Sequence, residues 1–256
     1  MNERLLVFEF PLSERIRIFL RLEQLFQQVD YFMVRTCVWD SRAVISMLLD
    51  ILAIFGRNDL KSEILKELER HSGVLAKISR SQGVDLGKLE LTRYELDKIS
   101  RELYATNGKI GVTLMENELF KSISQRSSIP GGTCAFDLPE YHYWLEQDER
   151  IRHQDLLDWV QPFLSIRKAI DLILRFIRQS SIPTVEIANA GFYQQSLDHS
   201  LPYQLLCVSI SAAMPYYAEI SGGKHRFTVR FMNAYKNERP TQSTNDIEFL
   251  LTRCIF

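Results

Sequence analysis

In Glu219-Ile-Ser-Gly-Gly-Lys-His-Arg-Phe-Thr-Val-Arg-Phe-Met232 a glycine turn, Gly222-Gly223, leads into strict alternation. Phe227, Val229 and Phe231 fall on one side; Arg226, Thr228, Arg230 and Met232 fall on the other. A period of two predicts a β-strand with one buried face. The other face then lifts the Arg226 and Arg230 guanidinium groups off a sheet. Lys224 and His225 precede them, Lys236 and Arg239 follow, and Glu238 is the only acid between Lys224 and Arg239. Arginine's planar fork suits carboxylates and phosphates. The same pattern also describes a solvated edge strand whose arginines keep it soluble.

Outward from this strand, Leu5 to Phe10 is a further β-type run, with Pro11 expected in the first turn of a helix. That helix is expected from about Ser13 to Met33. Ile16, Phe19, Phe26, Val29 and Met33 form its apolar stripe, and Arg17, Arg21, Gln24 and Gln28 the opposite one. Further helices are expected over Ser41–Phe55, from Asp59 to about Arg80, over Leu86–Tyr104 with Gly108 as C-cap, and over Val112–Gln125. Ser128–Phe136 reads as a turn and a short extended piece. Asp137 reads as the N-cap of a helix carrying Tyr141, His142, Tyr143, Trp144 and Leu145. Asp155–Ser180 is helical again, kinked at Pro162. From Ile182 the runs are β-type: Thr184–Ala188, Gly191–Gln194, Tyr203–Ile210, Tyr216–Ile220, His225–Met232 and Ile247–Ile255. Helices first and strands second predict an α+β protein: a mainly helical domain over 11–180 and an antiparallel β-domain of 1–10 plus 181–256, the N-terminal strand joining the C-terminal sheet.

The 256 residues are 46% hydrophobic and 25% charged, with a formal net charge of −1. This supports a folded core and argues against a dedicated nucleic-acid binder, which is usually basic. Cys37, Cys134, Cys207 and Cys254 lack CxxC spacing, and His71, His142, His153, His199 and His225 lack HxxxH or HExxH spacing, so no metal or cofactor is expected. Without a signal peptide or a long apolar run the chain reads as cytoplasmic. Ser221-Gly-Gly-Lys224 is followed by histidine and a strand, not by the helix of a phosphate loop. Asp198-His199-Ser200 is adjacent in sequence and reads as a turn, not a triad. The carboxylates Asp137, Glu140, Glu146, Asp148, Glu149, Asp155 and Asp158 read as a solvated surface around the aromatic helix.

Four stretches together resemble the ZapD family, bacterial cell-division proteins that associate with FtsZ. They are Phe8-Glu-Phe-Pro-Leu-Ser-Glu-Arg-Ile-Arg-Ile-Phe-Leu-Arg-Leu-Glu23, Ser128–Pro139 with Trp144-Leu145, Gly191-Phe-Tyr-Gln194, and Ile220–Met232. Ala190 stands where the family pattern suggests asparagine, and Gly223 and His225 also depart from it. The resemblance implies a helical domain plus a β-domain, a homodimer and no enzymatic activity. It implies binding of the FtsZ C-terminal tail and bundling of FtsZ filaments at the mid-cell division ring. The expected partner-binding residues are Arg226, Arg230, Lys224, Arg17 and Arg21, gripping an acidic, flexible peptide. The alternative is a nucleic-acid-binding or general interaction module using the same basic strand face.

Overall fold

The computed structural model describes residues 4–57, 59–78, 86–106, 110–234 and 239–256. The chain divides into two compact units: Met1–Ile18 with Leu174–Phe256, and Phe19–Ile173.

The first unit contains two antiparallel sheets. β1 (Leu5–Pro11), β4 (Tyr203–Ser211), β7 (Ile247–Ile255) and β2 (Thr184–Ala188) form one, in that spatial order. β3 (Phe192–Ser196), β6 (Arg226–Asn233) and β5 (Tyr216–Gly222) form the other. The expected N-terminal strand does join the C-terminal sheet, Phe8 standing opposite Val208. The alternation in β6 is realised: Phe227, Val229 and Phe231 are fully buried, while Arg226 and Arg230 are exposed. These three meet Leu206, Val208, Ile210, Ile247, Phe249 and Leu251 of the larger sheet in one shared core. Phe231 and Phe249 lie 5.1 Å apart by ring centroid, their planes tilted by 59°, within the range of favourable aromatic pairs.

Polar residues close the sandwich at one side. Arg253 on β7 donates to Glu186 (2.6 Å) and Thr184 (2.8 Å) on β2 and to Gln195 (2.7 Å) on β3. The Tyr193 hydroxyl also donates to Glu186. The Arg253 hydrogen bond holds the Glu186 carboxyl below its ordinary range. On the outer side of the larger sheet, Arg178 near the end of α8 (Leu164–Gln179) grips Glu9 of β1 with two hydrogen bonds of 2.7 and 2.8 Å.

Several expectations shift. Pro11 ends β1 instead of entering the helix, because α1 (Glu14–Met33) starts later and Ser13 caps it by accepting from Ile16. In an edge strand Pro11 costs no ladder bond: the Leu12 amide, one residue on, points at Gln204, so position 11 faces outward. β6 is the central strand of its sheet, not an edge. The two-residue turn between β2 and β3 is Ala190-Gly191, both at positive φ. Gly191 also needs its missing side chain, since a Cβ would meet the Ser243 carbonyl at 2.6 Å. Ala190 is held in this strained region by Asp246, which accepts from its amide at 2.8 Å, and by Gln242, which donates to its carbonyl at 2.9 Å.

In the second unit, α2 (Val38–Arg57) starts earlier than expected and buries Val44, Ile45, Leu48 and Ile51. α3 (Leu60–Ile78) carries the intrahelical pairs Lys66–Glu63 and Arg70–Glu67, with Asp59 accepting from Ser62 at its start. α4 (Leu86–Ala105) follows. The expected helix end at Arg80 and the Gly108 cap lie outside the described residues, as does Gly83-Val84-Asp85, which reads in the sequence as a break between helices. Val112–Gln125 is not one helix: a 3-10 turn, Thr113–Glu116, precedes α5 (Glu118–Arg126), and Asn117 breaks the run by capping Phe120 at 2.9 Å. Residues 127–137 form consecutive turns with no extended piece, stitched by bonds such as Gly132 to Ile129 and Asp137 to Cys134. Leu138, not Asp137, precedes α6 (Pro139–Leu145); the Asp137 carboxylate instead faces Arg126 at 3.9 Å. Pro162 does not kink one helix but separates α7 (Glu149–Val160) from α8, through a 3-10 turn at Gln161–Phe163. Proline removes an amide donor and crowds the preceding turn, which favours the break. Tyr141 and Trp144 are core; Trp144 stacks on Trp159 at 5.4 Å and donates to Asp155 at 2.7 Å.

Replacing Ala190 by asparagine should relieve the left-handed strain and stabilise the first unit by about 1 kcal/mol; thermal unfolding measures this as a raised Tm. Phe231→Ala should cost about 3–5 kcal/mol by opening a cavity between the sheets, read as a lowered denaturant midpoint.

Candidate binding face

The outer face of the three-stranded sheet is set by register. Along β6 it shows Arg226, Thr228 and Arg230. On β3 these stand opposite Ser196, Gln194 and Phe192. On β5, Thr228 and Arg230 stand opposite Ser221 and Glu219. The arginines stand four positions apart along the strand, about 13 Å. Thr228 and Ser221 share a 2.7 Å hydroxyl contact between them. Both guanidinium groups are exposed, and among the described residues neither lies within ion-pair distance of a carboxylate, although Glu219 is the cross-strand neighbour of Arg230. Exposed, unpaired guanidinium groups keep their donors available for an incoming carboxylate.

At the hairpin end of this face lies a shallow depression of about 410 Å³. Its floor is Gln194, Ser221 and Thr228, and its rim is Lys224, His225 and Arg226. The turn is closed by the Gly223 amide, which donates to the Arg226 carbonyl at 3.0 Å. A side chain at Gly222 would strike Phe227 at 2.6 Å, so the turn needs glycine there.

Lys224, Arg226 and Arg230 therefore share one surface. Arg17 is placed differently: on α1 it pairs with Glu14 at 3.1 Å, which offsets part of its charge. Arg21 is exposed on α1 and belongs to the second unit, whereas Arg17 belongs to the first. Lys236 lies outside the described residues. The polar floor was not singled out from the sequence. The alternation of Phe192, Gln194 and Ser196 carried a signal for it, but only the pairing with β6 shows which face those residues take.

Other clusters are structural in character. Cys207 and Cys254 bring their sulfurs to 4.0 Å between β4 and β7, and the hydrogen bond between them together with burial pushes the Cys207 thiol up. No group of three or more metal-ligating side chains occurs among the described residues, and none of their helices is long and apolar enough to cross a membrane.

The family model described as ZapD, cell division protein, matches residues 20–230. The chain is 48% identical over 250 residues to the cell division protein ZapD of Methylococcus capsulatus, covering 98% of each. It is 38% identical over 253 residues to that of Ralstonia pickettii, covering 98% of this chain and 100% of the relative. It is 37% identical over 250 residues to that of Chromobacterium violaceum, covering 97% and 99%. With the alternating basic strand, the N-terminal strand returned to the sheet and similarity along nearly its whole length, the chain belongs to the ZapD family of cell division proteins.

Proposed function

We propose that this cell-division protein binds the acidic C-terminal tail of FtsZ on the outer face of β6 and, as a homodimer, crosslinks FtsZ filaments at the mid-cell ring without catalysing a reaction. The observation that carries this reading is the pair of exposed arginines on a rigid central strand, free of ion pairs among the described residues. A flexible peptide laid along the face would set carboxylates about four residues apart against Arg226 and Arg230. Lys224 adds charge at one end, and Gln194, Ser221 and Thr228 offer neutral hydrogen bonds between. Arg17 and Arg21 on α1 are proposed as further partner-binding residues.

Each contact of this kind is weak, because it is exposed and screened by salt. Two sites per dimer meeting many tails per filament convert weak binding into a stable crosslink through effective concentration. The protein would act in the cytoplasm, where the filaments assemble.

The combined variant Arg226→Glu, Arg230→Glu should lose co-sedimentation with polymerised FtsZ while keeping the wild-type Tm and self-association. Since both side chains are exposed, folding is spared. Undiminished bundling by this variant, followed by light scattering, would refute the assignment. For the wild-type protein, raising the salt concentration through the physiological range should progressively weaken tail binding.

A further inference from the structure

His199 and His225 are far apart in sequence and adjacent in space. His199 lies in the Asp198–Ser200 turn before β4, and His225 in the turn between β5 and β6. The Leu197 amide donates to the His225 carbonyl at 2.8 Å and so ties the two turns together. Asp198 stiffens its own turn by accepting from the Ser200 amide and hydroxyl at 2.9 and 2.8 Å. Both imidazoles are exposed. Their Nδ1 atoms stand 2.8 Å apart and their ring centroids 4.5 Å apart.

We propose that these two rings form a bidentate site for a late first-row divalent metal, Ni²⁺ or Cu²⁺ in preference to Zn²⁺. The argument is geometric. Imidazole nitrogens bind such metals at about 2.0–2.1 Å. Two nitrogens in neighbouring positions of a square-planar or octahedral sphere are then about 2.9 Å apart, and in a tetrahedral sphere about 3.4 Å. The 2.8 Å separation, set here by a hydrogen bond, lies close to the first, so a turn of the two rings is enough to aim both lone pairs at a shared ion. Copper and nickel favour that geometry, and both bind nitrogen ligands strongly in the divalent series.

Without metal, one ring must donate its Nδ1 proton to the bare Nδ1 of the other. Chelation moves that proton, through solvent, to the Nε2 of the same ring. Both Nδ1 lone pairs then replace two waters of the aqua ion, and no net proton is released from the neutral pair. Remaining positions go to water, since among the described residues no third metal-ligating side chain joins the pair. Lys224 and Arg226 lie beside the site and oppose the cation, so affinity rests on the chelate geometry, not on charge.

Isothermal titration of the full chain with Ni²⁺ tests this. One ion per protomer should bind, and His199→Ala and His225→Ala should each abolish that event, whereas His153→Ala should leave it unchanged. With Cu²⁺, the electron paramagnetic resonance spectrum should show coupling to two equivalent nitrogens. Paramagnetic broadening of the His199 and His225 ring signals in the unmutated protein provides a reading that does not depend on how the variants fold. No Ni²⁺ binding, binding that survives either alanine substitution, or broadening confined to other histidines would overturn the proposal.

Discussion

The burial of Phe227, Val229 and Phe231 between two sheets is the constraint on which the candidate binding face depends. Side chains along a strand alternate with period two, so a slip of one residue would turn all three into solvent and drive both arginines into the core. Burying those guanidinium groups without partners would be prohibitive. The apolar fit thus locks the register, and the register fixes which charges face outward. Because β6 is paired on both sides, its arginines are carried by the central strand of the smaller sheet.

Smaller interactions hold the frame around this core. Arg253 reaches β2 and β3 at once, joining the sheets where apolar packing runs out. Arg178 clasps Glu9 and secures the edge strand β1 against the last turns of α8. The tight turn at Ala190-Gly191 accepts strain in exchange for a short connection, and Asp246 and Gln242 keep it in place. Each of these places a polar group where its hydrogen-bond partners already wait, so little desolvation cost remains.

Much of this was legible in the sequence. Strong β-type runs named every strand to within a residue or two, since period-two alternation and turn residues are local signals. At helical spacing Ile166, Ile170, Ile173, Leu174 and Ile177 mark the buried side of α8, and all five are fully buried. Breaks inside helical stretches were harder. At Asn117 a side-chain cap, and at Pro162 a 3-10 turn, divide patterns whose hydrophobic spacing runs on nearly uninterrupted. Periodicity reports which side is buried; it does not report where one helix axis gives way to the next.

What the chain determined unaided was the set of elements and the side of each that seeks the core, because those follow from spacing between near neighbours. It also carried the family resemblance and the basic character of one strand. Only the tertiary structure decided that β6 is central, that Ser221, Thr228 and Gln194 line a depression beside Arg226, and that His199 meets His225. Those facts depend on strand order, register and side-chain reach, which arise from contacts between residues distant in sequence or from rotamers settled only when the chain is packed.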